Sequence, residues 1–219
     1  MRVFFIIILF IVMNRLTEIA NNQKTDKGTI YEESHGYTVV YEKYIPNNGG
    51  YNLLELGIDK GSSIRMWKEY NPYMKLYMAD HNPATLQYFD NSLIEKYYKV
   101  EQTVRDTLNT IPQDVGENFF DYIIDDGAHF MHTHHITLSV LLKSLKSGGV
   151  YFIEDLQTCK MKDFCKSEND STVNILKNWV STGNFNSPFL NELENEYIGK
   201  NIKSVTFECN DKLGIITKL

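Results

Sequence analysis

Two acid-rich stretches carry the chemistry of this chain. "DYIIDDGAHFMHTHH", Asp121 to His135, packs three acids and four histidines into fifteen positions, and "VYFIED" ends on Glu154 and Asp155. Two carboxylates about 4 Å apart repel by about 4 kcal/mol at an effective dielectric of about 20. If Asp126, Glu154 and Asp155 converge, they must protonate, splay apart or bind a cation. A hard divalent ion such as Mg²⁺ suits oxygen ligands and keeps room for water and substrate oxygens. Successive strand residues point to opposite faces, so Glu154 and Asp155 can serve together only where the strand has already ended. The alternative is a set of solvated carboxylates capping helices.

His129 lies three residues beyond Asp126. An imidazole there can accept the proton of an alcohol whose acidity a metal has raised, or can cap the next helix. His132, His134 and His135 fall where that helix should begin, which assigns them surface or helix-terminal roles. The HxHxDH spacing of metallo-hydrolases is absent.

Four acidic segments must be delivered to one place by the elements that carry them. "YNLLELG", "KLYMAD", "YKVEQ", "FFDYIIDD" and "VYFIED" read as strands, with helical spacing in "SSIRMWKEY", "PATLQYFDNSLIEKY", "VRDTLNTI" and "HHITLSVLLKSLKSGG", the last stopped by Gly148. Alternating strands and helices imply an α/β fold with a mostly parallel sheet covered on both faces. Right-handed crossovers then bring the carboxyl ends of the strands to one rim, where ligands bind. "SVTFECNDKLGIITK" adds a C-terminal antiparallel hairpin around Asn210-Asp211. In "LLELGIDKGSS", Gly57 and Gly61 allow a tight turn and close ligand approach at a helix start. Asp80, roughly twenty residues on, can accept both hydroxyls of a ribose or cap a helix. The two segments together favour an adenosine-containing cofactor.

The 219 residues suffice for one large domain, and a net charge of −6 argues against a dedicated nucleic-acid binder. Cys159, Cys165 and Cys209 lack metal-ligand spacing and suit a reducing, cytosol-like compartment. The apolar opening "MRVFFIIILFIVM" is shorter than the ~20 residues of a membrane span. It is a helix packed on the body or a partner chain, a membrane-targeting segment, or a product of start-site choice. The polar run "NNQKTDKGT" reads as a linker behind it, which divides the chain into a segment 1–23 and a domain 24–219. Tyr37, Tyr41 and Tyr44 at i, i+4, i+7 are spaced for an amphipathic helix, and with Tyr31 they could also lid a ligand.

In the order "LLELGIDKGSSIRMW", "YMAD", "DYIIDDGAHFMHTHH" and "LKSGGVYFIEDLQT" the chain resembles class I S-adenosylmethionine (SAM) methyltransferases, Rossmann-like in fold. More narrowly it is similar to the metal-dependent sugar O-methyltransferases of macrolide glycosides and their cephalosporin hydroxylase-like relatives. The likeness covers about residues 24–219. The resemblance implies Asp126, Glu154 and Asp155 as metal ligands and His129 as general base. It also implies Glu55, Gly57, Gly61 and Ser62 at the amino-acid end of SAM, Asp80 at its ribose, Gln102 towards the adenine and Asp125 beside the cofactor. One departure is Glu101-Gln102, where the family usually has Asp-Gln.

The expected activity is SAM- and divalent-metal-dependent O-methylation of a sugar hydroxyl on a glycan or glycosylated small molecule. The expected setting is cytoplasmic, with homo-oligomerisation and weak membrane association through residues 3–13 left open. The rivals are a metal-dependent oxygenase using Asp126, His129 and a second histidine, and a SAM-binding subunit without catalysis.

Overall fold

The computed structural model describes residues 14–30, 34–165 and 167–219. The apolar opening of residues 3–13 and Tyr31 lie outside the described residues. Among those described, no helix is long and apolar enough to cross a membrane.

Seven strands form one sheet: β1 Asn52–Leu56, β2 Lys75–Asp80, β3 Lys96–Lys99, β4 Phe120–Asp125, β5 Leu145–Ile153, β6 Ile202–Glu208 and β7 Leu213–Lys218. Their order is β3-β2-β1-β4-β5-β7-β6. The first five pair in parallel, and the β6–β7 hairpin joins β5 antiparallel. The strands read as apolar runs because both faces are covered. Leu53, Ile124 and Phe152 enter one core, while their neighbours Leu54, Ile123 and Tyr151 enter the other. The first core is closed by α1 Arg15–Gln23, α2 Tyr37–Tyr44 and α3 Ser62–Tyr70, through Leu16, Ile19, Tyr41 and Trp67. The second is closed by α4 Arg105–Val115, α5 Met131–Leu141, α6 Thr172–Thr182 and α7 Glu192–Asn201, through Leu108, Leu138, Leu176 and Ile198.

Three elements differ from the sequence expectation. The helix expected over "PATLQYFDNSLIEKY" is two short 3-10 turns, Pro83–Tyr88 and Asn91–Leu93. Asp90 splits it by accepting the Ser92 amide, and Phe89 is extended with its ring packed against Gly61. Helix α5 ends at Leu141 rather than running to Gly148. Gly148 and Gly149 instead lie in an irregular stretch of the β4–β5 ladder, where pairing jumps from Phe120–Leu145 to Tyr122–Val150. A Cβ at 149 would sit 3.0 Å from the Asp121 carbonyl, so the strand needs glycine there.

The polar run expected as a linker is folded against the body. Its Asn21 side chain accepts the Thr29 amide at 2.8 Å, the Gly36 amide donates to the Gly28 carbonyl at 2.8 Å, and the Lys27 side chain is buried. Its first three residues close helix α1, which packs along α3. Composition suggested a linker because it registers polarity and not the local hydrogen bonds that satisfy it.

A rim of acids and a buried lysine form the candidate active site

Parallel register brings the strand ends level. Leu56 pairs with Ala79 and with Asp125, and Asp125 pairs with Ile153. The residues that follow each strand therefore share one edge and border a cavity of 820 Å³.

On one side of the cavity is the glycine turn. Gly57 has φ +90, and a Cβ there would meet the Asp126 carbonyl oxygen at 2.0 Å, so β1 and β4 can exit this closely only through glycine. Gly61, at φ +68, leads into α3 at Ser62. Asp80 accepts the Ile58 amide at 2.9 Å and the Asn82 amide at 2.8 Å, which braces the turn. The cap of the following 3-10 helix is Asn82, so Asp80 keeps its place on the cavity wall. Glu55 lies behind this wall, fully buried, with one oxygen accepting Trp67 Nε1 at 3.0 Å and the other without a hydrogen-bond partner. Burial holds its pKa above the usual carboxylate range, while Lys27 pulls the other way.

Gln102 reaches the wall from the loop before α4. Its amide nitrogen donates to Asp125 at 2.7 Å and its oxygen accepts the Ala128 amide at 2.7 Å. Asp125, expected beside a cofactor, stands behind Gln102 with no exposure. Burial raises its pKa to about 6.

On the other side stand Asp126, His129 and Asp155, each offering a ligand atom within 4.8 Å of the others. His129 Nε2 is 3.6 Å from Asp155 Oδ2 and 3.9 Å from Asp126 Oδ1, while Nδ1 is buried without a partner. The strand-alternation problem is resolved by the backbone. β5 stops at Ile153 and Asp155 is left-handed at φ 56, which turns its side chain towards His129, itself at φ 56. Tyr37 and Gln157 donate to Asp155 Oδ1 at 2.8 and 2.9 Å. Burial works to raise the Asp155 pKa, but these bonds and the neighbouring imidazole hold it below the usual range.

Glu154 does not join that group. It faces inward, 2% exposed, with both oxygens bonded by Lys27 Nζ at 2.8 and 2.9 Å and a further bond from the Tyr41 hydroxyl. Lys27 also bonds Asp126 and lies 3.5 Å from Glu55. Burial works to lower the Lys27 pKa, yet Asp126, Glu154 and Glu55 together hold it well above the usual value, so the ammonium persists. Burial, then the charge of Asp126, pushes Glu154 up.

The tyrosine helix packs as an amphipathic helix: Tyr37 and Tyr41 are buried core rings, and their hydroxyls bond Asp155 and Glu154 rather than lidding the cavity. His134 and His135 correct the surface assignment. Both are buried on α5 and bond Thr172 Oγ1 at 3.1 Å and Ser187 Oγ at 2.7 Å, away from the rim. Of the four histidines, only His129 belongs to the acid group. Sequence reasoning missed Lys27, for which a lone lysine in a polar run gives no signal, and His35, whose Nε2 is 3.5 Å from Asp155.

The two carboxylates, Asp126 and Asp155, on an open cavity wall fit a hard divalent ion, with the His129 imidazole beside them. The glycine turn at a helix start, braced by Asp80 and open to the cavity, fits a cofactor bearing an amino-acid end.

No protein-family profile matches the chain. The 8-demethyl-8-(2-methoxy-alpha-L-rhamnosyl)-tetracenomycin-C 3'-O-methyltransferase of Streptomyces olivaceus is 26% identical over 179 residues, covering 74% of this chain and 43% of that protein. A second enzyme of that organism, 8-demethyl-8-alpha-L-rhamnosyl tetracenomycin-C 2'-O-methyltransferase, is 30% identical over 164 residues, covering 67% and 40%. The chain thus spans less than half the length of these curated relatives. Among solved structures, the MycE methyltransferase of the mycinamycin pathway, in complex with Mg, SAH and mycinamycin VI, superposes with a TM-score of 0.73 at 22% identity. That match covers 94% of this chain and 54% of MycE, and it shows the same fold.

Proposed function

From a chain that is a relative of sugar O-methyltransferases and has their Rossmann-like class I methyltransferase fold, we propose a SAM-dependent, divalent-metal-dependent O-methyltransferase acting on a sugar hydroxyl. The acceptor is a glycan or glycosylated small molecule. The observation that carries the reading is the meeting, on one cavity wall, of the Gly57–Asp80 turn with Asp126, His129 and Asp155.

Gly57, Gly61 and Ser62 take the amino-acid end of the donor, with Glu55, whose Oε1 lies 3.5 Å from Lys27 Nζ, buried behind them. Asp80 takes the ribose, and Gln102, held in place by Asp125, borders the adenine side. Asp126 and Asp155 hold the cation, with Glu154 as the third acid at their back. When bound, the donor supplies a sulfonium methyl and the cation supplies Lewis acidity to a hydroxyl. His129 accepts the hydroxyl proton at Nε2, and Asp126 and Asp155 beside that atom stabilise the imidazolium that results. Orientation of the hydroxyl by the rim adds to this, because alignment converts encounter into an effectively unimolecular step.

The test is incubation with methyl-labelled SAM and a panel of free sugars, nucleotide sugars and glycans, with Mg²⁺ or with EDTA. Label transfer that EDTA abolishes and Mg²⁺ restores is the expected result. Undiminished transfer in metal-stripped buffer would remove the cation from the proposal, and transfer to no sugar would remove the acceptor class.

A further inference from the structure

We propose that the Lys27 ammonium is the resident counter-cation of the acid cluster and competes with the divalent ion for Asp126 and Glu154, thereby setting how tightly the metal binds. This rests on the metal reading above and concerns a residue that no expectation from the sequence included.

Three strand ends bring Glu55, Asp126 and Glu154 around a single Nζ that is 1% exposed. Among the described residues, no other lysine or arginine forms an ion pair with any of these acids. Three acids thus share one ammonium, and Asp155 lies beyond it against His129, so the acids outnumber the resident cation. The ammonium, however, already holds both oxygens of Glu154 and Asp126 Oδ2. The oxygens left towards His129 are Asp126 Oδ1 and Asp155 Oδ2. An ion entering from the cavity meets that outer pair first, and it gains Glu154 only by displacing Lys27.

The loop is built for such an exchange. The backbone of Lys27 is anchored, its carbonyl accepting the Thr38 amide at 3.1 Å and the flanking Gly28 carbonyl accepting Gly36 at 2.8 Å. Only the four-carbon stem and its head are left to swing, and a lysine head is a compact charge on a flexible stem. A divalent ion is a stronger partner for carboxylates than an ammonium, so metal loading and lysine withdrawal form one exchange.

The deciding experiment is calorimetric titration of Mn²⁺ into wild type, Lys27→Met and Lys27→Arg, each saturated with S-adenosylhomocysteine and checked for folding by circular dichroism. Lys27→Met should bind Mn²⁺ at least tenfold more tightly than wild type, and Lys27→Arg no more tightly. Equal or weaker binding by folded Lys27→Met, with a wild type that binds the ion, overturns the competition alone. If neither wild type nor Lys27→Met binds Mn²⁺ while both bind S-adenosylhomocysteine, the metal reading falls and takes this proposal with it. Should Lys27→Met not fold, lysine-selective ¹³C NMR of the wild type follows the Lys27 Cε signal through a Mg²⁺ titration, with Lys27→Arg for assignment. A shift that saturates with the metal supports displacement, and a signal unmoved at saturation overturns it.

Discussion

His129 and Asp155 show how individual residues are aimed at this site. Both adopt the left-handed backbone region that disfavours residues with a Cβ, and each side chain thereby faces the other across 3.6 Å. Replacing His129 by Ala is expected to lower turnover by about 10²–10⁴-fold, the usual weight of a general base. Because His129 lies on the acid side of the cavity, affinity for S-adenosylhomocysteine should stay within about twofold, as read by calorimetry. Asp126→Asn should instead raise the dissociation constant for Mn²⁺ at least tenfold. The acids and His129 were legible in the sequence because strand ends with paired carboxylates announce themselves. Lys27 was not, since its partners lie 99 and 127 positions away, and no local pattern encodes such a meeting. Glu154 illustrates the same limit: the sequence places it at the rim but cannot say that Lys27 and Tyr41 turn it inward.

At the scale of elements, the turns after β1 and β4 are interlocked and α5 is anchored by buried histidines. Gly57→Ala combines a disallowed φ with a Cβ 2.0 Å from a backbone oxygen. It should cost on the order of 3 kcal/mol in urea denaturation and abolish donor binding. Gly183→Ala, left-handed at φ +78 but with nothing within 4 Å, should cost only about 1 kcal/mol. On α5, burial drives His135 from 6.5 down to about 3 and lowers His134 well below 6.5. Below pH about 6.5 the unfolded chain binds protons at these positions and the native chain does not, so each histidine removes stability as pH falls. The loss approaches about 1.4 kcal/mol per pH unit for each. Asp125, raised to about 6, acts oppositely between its ordinary value of 3.8 and that point, so the effect is read by difference. His135→Gln should have a shallower stability decline than wild type between pH 6 and 4 in denaturant titrations. An indistinguishable slope would contradict a neutral buried imidazole. Helix existence on α5 was readable from its apolar spacing, whereas its end was not. Gly148-Gly149 resembles a helix stop, and only the β4 partner reveals that the strand has already begun.

For the whole molecule, the order β3-β2-β1-β4-β5-β7-β6 gathers the acids of β1, β4 and β5 from neighbouring strands. Ligands that bind only the native state stabilise it by mass action. Mg²⁺ at about 100 times its dissociation constant should therefore add about 2.7 kcal/mol, seen as a raised melting temperature in wild type and absent in Asp126→Asn. The parallel sheet and its hairpin were visible as alternating strand and helix signals, but the docking of residues 21–29 was not, because it depends on the finished rim.

That docking also orders the birth of the protein. Lys27 leaves the ribosome while β4 and β5 are still unwritten, and Tyr37 must later meet Asp155, 118 positions downstream. A nascent chain halted after α5 holds Asp126 and Lys27 but lacks Glu154 and Asp155, so the cage around the ammonium stays open until translation has passed β5. Closure of the amino-terminal arm around these acids therefore waits for the strand that carries Glu154 and Asp155.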